Sequence, residues 1–239
     1  MIVTPYAQGT HEWVQARLGI PTASNFHRII TSKTLKVSEQ SHGYLCELLA
    51  ERMMRCQVSD AATQFMERGS ALENQAVALY ELKRDVDTTP VGLCLSDDGR
   101  VGCSPDRLVG EDGGLELKCP SAGVHVGYLL DGDEGVAAKY RAQVQGALWI
   151  TERSWWDVCS YHPMMPEALV RVERDEELIS ALAEAVGHFL ERLEAAEARL
   201  RDAGRWVESV AGSSDRADIV GMTAAWAPQL RQPVQNAGA

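Results

Sequence analysis

The chain has no CxxC pair and no CxxxH spacing. Its six cysteines (Cys46, Cys56, Cys94, Cys103, Cys119, Cys159) are scattered. A structural zinc site needs closely spaced ligands, and the same scatter counts against an iron–sulfur centre. Free and mostly buried thiols are expected in a reducing compartment. The six histidines form no metal-ligand pair, and His162, beside Pro163, reads as structural. No apolar run is long enough to span a bilayer, and Met1 to Gly9 lacks the basic-then-apolar layout of a signal peptide, so a cytoplasmic protein with no membrane partner is expected. Positive charge is also short, with a formal net charge of −11. That argues against a general nucleic-acid binder, whose affinity comes mainly from neutralising phosphates. It leaves room for a nuclease, because basic side chains can be gathered in one channel while the outer face stays acidic.

What is present is 239 residues, 45% of them apolar, enough for one large α/β domain or two small ones. Helical spacing of Tyr44, Leu48, Leu49 and Met53 predicts a helix over Gln40 to Arg55, and Leu72, Ala76, Leu79 and Tyr80 mark another from about Gly69 to Leu82. Short strands follow: Val91 to Leu95, then a second that Arg100 to Cys103 begins and Arg107 to Val109 continues. Gly110 to Gly114 then reads as a hairpin turn, and Leu115 to Cys119 as the return strand, stopped by Pro120. Ala137 to Trp149 reads as a helix, with Tyr140, Val144 and Leu148 in its packing stripe. Trp155 to Tyr161 is β-favourable, and Asp175 to about Ala203 is a long amphipathic helix. After Gly204 the pattern is irregular, and the last residues are expected to fray. A β-rich centre flanked by helices predicts an α/β sandwich around one mixed sheet.

The chemistry-bearing stretch is Ser104-Pro105-Asp106, then nine residues, then Glu116-Leu117-Lys118. Side chains alternate along a strand, so Glu116 and Lys118 share a face and Leu117 points the other way. If the turn pairs Val109 with Leu115, Asp106 lies opposite Lys118 and all three polar side chains converge; a slip of one residue would break this. Two carboxylates are hard oxygen ligands suited to Mg²⁺, and a neighbouring ammonium can orient a water or offset charge on a phosphate. The plain alternative is a surface hairpin with an exposed Glu–Lys pair, which the spacing alone equally allows. Two details weigh against it: Leu115, Leu117 and Cys119 make the other face apolar, and Pro105 suggests a fixed turn beside Asp106.

Pro105-Asp106 and Glu116-Leu117-Lys118 resemble the PD-(D/E)xK nuclease motif. Their company is more specific than the motif. Cys103 to Asp106, Gly114 to Pro120, Ala142-Gln143-Val144-Gln145 and Tyr161-His162-Pro163 follow the order and approximate spacing of the lambda exonuclease (YqaJ-type viral recombinase) family. Trp13, Arg17 to Ile20 and Thr22 to Ser24 look like its N-terminal block, and Glu67-Arg68-Gly69 with Leu72-Glu73-Asn74 like its helical acidic block. The resemblance implies a PD-(D/E)xK α/β core over residues 1–204, with 205–239 left as an irregular C-terminal extension.

It further implies that Asp106, Glu116 and the Leu117 carbonyl are metal ligands, that Lys118 positions or activates the attacking water, and that Glu73 adds a carboxylate near a second ion. The implied cofactor is Mg²⁺, two ions per site, with Mn²⁺ as the alternative ion. Arg17 and Ser24 match positions that hold a 5′-phosphate. The physical counterpart is a helix start capped by Thr22 or Ser24, whose free N–H groups favour an anion, with a bidentate arginine beside it. Trp13 falls in the block associated with the DNA end, and either Gln143 or Gln145 would touch the active centre. The implied activity is 5′-to-3′ removal of mononucleotides from duplex DNA ends, leaving a 3′ single strand for recombination. The implied partners are the DNA end, two further copies in a trimeric ring, and a single-strand annealing protein. An endonuclease on the same core and a non-catalytic end-binding scaffold are the alternatives.

Overall fold

The computed structural model describes residues 1–58 and 63–207, with side chains described except at 63–71 and 133–134. In chain order these form β1 (Ile2–Val3), α1 (His11–Arg17), a 3₁₀ helix (Ala23–Arg28), β2 (Ile30–Thr31), β3 (Lys36–Val37), α2 (Ser41–Met54) and α3 (Thr63–Arg84). Then come β4 (Thr88–Thr89), β5 (Cys94–Leu95), β6 (Gly102–Cys103), β7 (Arg107–Val109), β8 (Gly113–Lys118), α4 (Ala122–Thr151), β9 (Trp155–Ser160), β10 (Ala168–Glu173) and α5 (Glu176–Asp202).

The main sheet has the order β10-β9-β8-β7-β4. Only the β8–β9 contact within it is parallel. Parallel neighbours need a long crossover, which α4 supplies. Alternation along β8 then divides the interior. Leu115 and Leu117 pack with Ala76, Val77 and Tyr80 of α3 on one face. On the other, Trp156 and Val158 of β9 join Val144 and Leu148 of α4 and the buried stripe Leu178, Leu182, Val186 and Phe189 of α5. Each such side chain contributes roughly 1.5–3 kcal/mol by leaving water. The mixed sheet flanked by helices expected from the sequence is therefore the observed fold.

Helices α2 and α5 match their sequence readings to within a residue at each end, whereas α3 begins six residues before the expected Gly69. Asp175 caps α5, its side chain accepting from Leu178 N at 3.0 Å. The hairpin differs. Val109 pairs with Gly113 and Arg107 with Leu115, so the loop is Gly110-Glu111-Asp112 and the pairing is displaced by two residues from the expected one. Continued past β7, this register sets Asp106 opposite Glu116 instead of Lys118. Because side chains repeat every two residues, a two-residue shift preserves which face each occupies.

Gly113 and Gly114 belong to the strand, for a steric reason. A Cβ at Gly113 would lie 2.1 Å from the Trp155 ring, and one at Gly114 2.3 Å from the Trp156 ring, so these indoles occupy the space a side chain would need. α4 begins well before Ala137, its two helical stretches meeting at Gly132 (φ 67°, ψ −166°), and β10 has no counterpart in the sequence reading. The thiols are free, but only Cys94, Cys103 and Cys159 are buried; Cys46 is exposed. Among the described residues no helix is long and apolar enough to cross a membrane. The side chains of Glu67 and Arg68, and the extension beyond residue 207, lie outside the described residues.

Candidate active site

A cleft of about 660 Å³ is lined by Gln8, Trp13, Arg17, Ser24, Glu73, Asp106, Glu116, Lys118 and Gln143 among others. Five stretches of chain contribute: the N-terminal segment through α1, the 3₁₀ helix, α3, the Pro105–Asp106 elbow with β8, and α4. The sequence assignments Trp13, Arg17, Ser24, Glu73, Asp106, Glu116, Lys118 and Gln143 thus meet in one place. Gln145 does not join them. It is buried, donates to Glu173 O at 2.8 Å and accepts from Asp175 N at 2.9 Å, tying α4 to the β10–α5 junction.

At the centre, Glu116 Oε1 accepts from Lys118 Nζ at 2.6 Å and from Gln143 Nε2 at 2.6 Å. Asp106 Oδ2 accepts from Leu117 N at 2.5 Å. The N–H and carbonyl of a strand residue point to the same side, so the Leu117 carbonyl lies on the edge that Asp106 occupies. Burial, and then the adjoining Glu116 carboxylate, push Asp106 well above the ordinary carboxylate range; Lys118 and the Leu117 N–H oppose this, and Glu73 adds to it. Burial alone would lower Lys118, but Glu116 and Asp106 together hold its ammonium above the usual value.

Two crowded carboxylates and a main-chain carbonyl form an all-oxygen donor set. It fits a hard divalent ion, which takes one or two protein carboxylates and keeps several waters. The like-charge crowding that raises Asp106 is what such a cation would relieve. Among the described residues no group of three or more His, Cys, Asp or Glu side chains forms a ready-made metal cage, and Glu73 lines the cleft without joining a tight cluster.

At the other end, Trp13 is buried and donates through Nε1 to Ser104 Oγ at 3.2 Å. The Arg17 guanidinium lies 4.3 Å over its ring and forms no ion pair among the described residues. Burial works against the charge of Arg17. Ser24 is exposed and shares a 3.2 Å hydrogen bond with Thr22 Oγ1. The expected capping is absent: Thr22 precedes the 3₁₀ helix without a side-chain cap bond, and its own N–H donates to Tyr44 Oη at 3.2 Å.

Two residues escaped the sequence reading. Gln8 Nε2 donates to Pro105 O at 2.6 Å and to Val91 O at 3.0 Å, pinning the N-terminal segment to the elbow that carries Asp106. The Tyr140 ring sits 4.8 Å from Lys118 Nζ, and its hydroxyl meets that of Tyr128 at 2.9 Å. In the sequence Tyr140 marks only the helical spacing it shares with Val144 and Leu148; its place one helical turn before Gln143 is the available signal.

Residues 12–154 match the model of the YqaJ-like viral recombinase domain. This chain belongs to the YqaJ-like viral recombinase family. The match spans the described site from Trp13 through Gln143. Among solved structures, an alkaline exonuclease (LHK-Exo) from Laribacter hongkongensis is 34% identical with a TM-score of 0.72, over 82% of this chain and 98% of that one. The same exonuclease in complex with dAMP matches equally well, with a TM-score of 0.72. A phage-related exonuclease from Haemophilus somnus 129PT, 16% identical with a TM-score of 0.64 over 76% of this chain and 96% of that one, shares the fold. A curated protein from Escherichia coli (strain K12), ExoD, is 34% identical over 76 residues, 30% of this chain and 87% of that protein. The architecture of this YqaJ-family chain is thus the nuclease fold of the alkaline exonuclease.

Proposed function

We propose that this protein is a divalent-metal-dependent exonuclease that degrades duplex DNA from 5′ ends, releasing mononucleotides and leaving a 3′ single strand for recombination by single-strand annealing. The observation that carries this reading is the convergence of Asp106, Glu116, Lys118 and Gln143 with Arg17 in one cleft. The family membership and the exonuclease relatives support it.

Asp106, Glu116 and the Leu117 carbonyl would hold Mg²⁺, with Mn²⁺ as the alternative ion and Glu73 reaching a second one. When bound, such an ion lowers the pKa of a water and polarises the phosphoryl oxygen. The residues do the positioning. Lys118 and Gln143 fix the Glu116 carboxylate from two sides, so its free lone pairs aim into the cleft. The Lys118 ammonium offers positive charge where the phosphate becomes more negative, and it orients the attacking water. Arg17, its guanidinium 4.3 Å over the Trp13 ring and without an ion-pair partner among the described residues, is preset for the terminal 5′-phosphate, with Ser24 lining the same cleft. A ring of three copies around DNA would let an acidic protein act processively without strong phosphate attraction, and the partner of its product would be a single-strand annealing protein.

The deciding experiment offers linear duplex with a 5′-phosphate, labelled at one end, beside a closed circle, in Mg²⁺. Stepwise mononucleotide release from 5′ ends with the circle intact is expected. Cut circles would turn the reading to an endonuclease, and cleavage of neither to an end-binding scaffold.

A further inference from the structure

A second cleft, of about 490 Å³, adjoins the active-site cleft. It shares Gln8 and Glu73 with the active-site cleft, whereas Arg17 and Thr22 are shared with a third depression. The other two share no lining residue with each other, so the active-site cleft is the one that adjoins both. The second cleft is lined by Val3 to Gln8, by Glu73 and Asn74, and by Pro90 to Gly92 and Arg107. Its size falls within the range of small-molecule sites, roughly 300–1,000 Å³.

This cleft is built, not incidental. Thr4 N donates to Leu93 O at 2.9 Å and Gln8 bonds the carbonyls of Val91 and Pro105, which fixes the segment between them. Gly92 is needed for that approach, since a Cβ there would stand 1.8 Å from Tyr6 O. The Tyr6 backbone is thereby held close to Gly92, and the residue as a whole is 40% exposed. Arg107 Nη1 donates to Asp106 O at 2.8 Å, tethering the guanidinium next to the metal-binding elbow. Among the described residues Arg107 has no ion-pair partner. The Glu81 carboxylate feels the Arg107 charge without pairing with it, so in a chain of net charge −11 this guanidinium, fixed beside the catalytic centre, is a cation available to a ligand.

We propose that this cleft is the subsite for the nucleotide on the 3′ side of the scissile bond, with Arg107 on its backbone phosphate and Tyr6 against its base or sugar. The inference rests on the nuclease reading above, and it gives the strand a direction: the terminal phosphate at Arg17, the attacked phosphate at Asp106 and Glu116, the following nucleotide at Tyr6 and Arg107. An aromatic face accepts any base, so the subsite holds the strand without selecting sequence.

The test measures binding of the full chain, in Mg²⁺, to a 5′-phosphorylated duplex whose first linkages are phosphorothioates, by fluorescence anisotropy across a salt series. Arg107→Gln is expected to weaken binding about tenfold and to reduce the slope of log affinity against log salt by about one. Arg107→Lys, which keeps the charge, retains most of both. Tyr6→Ala weakens binding about fivefold and Tyr6→Phe does not. Competition by dAMP, which ends before this subsite, is unchanged in all four. Unaltered duplex affinity and salt slope in Arg107→Gln overturns the proposal. So does an equal loss in Arg107→Lys, or weakened dAMP competition, because Arg107 would then act only through Asp106. Failure of the wild type to release nucleotides from ordinary duplex would overturn the nuclease reading instead, and anisotropy reads the Arg107 contact independently of hydrolysis.

Discussion

Gln143 Nε2 donates to Glu116 Oε1 across 2.6 Å, joining the crossover helix to the strand that carries the acidic centre. Gln145, two residues on, faces away and spans Glu173 and Asp175. The two substitutions should therefore fail differently. Gln143→Ala lowers kcat by about 10- to 100-fold, the usual cost of removing a group that orients a metal-binding carboxylate, with little change in Tm. Gln145→Ala leaves two part-buried backbone groups without their side-chain partner, costs about 1 kcal/mol of stability and leaves the kcat of the folded fraction near wild type. Steady-state kinetics beside thermal melts check both; equal kcat losses would contradict the division.

Lys118 holds Glu116 at 2.6 Å and lies 4.8 Å from the Tyr140 ring. Lys118→Ala should reduce hydrolysis by at least about 10²–10³ while duplex-end binding persists, because the lost ammonium acts mainly on the charge that develops in the transition state. A gel assay of cleavage beside anisotropy of binding separates the effects. Near-normal cleavage would remove Lys118 from the mechanism.

Arg17 stacks on Trp13 without a carboxylate partner among the described residues. Arg17→Ala should erase the preference for 5′-phosphorylated over 5′-hydroxyl ends, chiefly by slowing the phosphorylated substrate. The ratio of the two rates is the readout, and an unchanged ratio would refute the phosphate assignment.

Asp175 caps α5, and its acceptance from Leu178 N, then its contact with Arg141, hold its carboxyl below the ordinary range. A depressed folded-state pKa means the stabilisation is complete above the unfolded value of about 3.9 and is lost as pH falls through the lower folded value. Asp175→Ala should cost about 1 kcal/mol at neutral pH, and the gap from wild type should close on acidification below the unfolded pKa. Urea melts across pH 2.5–7 test this; a gap constant with pH would show that the cap contributes nothing through its charge.

How much of this was legible in the sequence follows from which signals are local. The apolar stripe of α5 and its Asp175 cap lie within a single helix, and the structure begins and ends that helix within a residue of the reading. The Glu-x-Lys spacing of Glu116 and Lys118 survives for the same reason: strand alternation depends on parity, so a two-residue error in the hairpin register left Asp106, Glu116 and Lys118 together. The pair Gly113-Gly114 was misleading because its cause is distant. It reads as turn chemistry, yet those residues are glycine because Trp155 and Trp156 of the neighbouring parallel strand fill the space.

The sequence by itself determined the inventory: an α/β core, an acidic centre with its lysine, and an arginine–tryptophan block upstream. Tertiary structure alone decided which of these meet. Gln143 and Gln145 lie about 200° apart around one helix, and nothing local says which side will face the sheet. Gln8, Tyr6 and Arg107 come together only because the N-terminal segment folds back over Gly92. Periodicity is a property of one element and is written in its residues, whereas the angle at which elements dock is set by the packing of all of them.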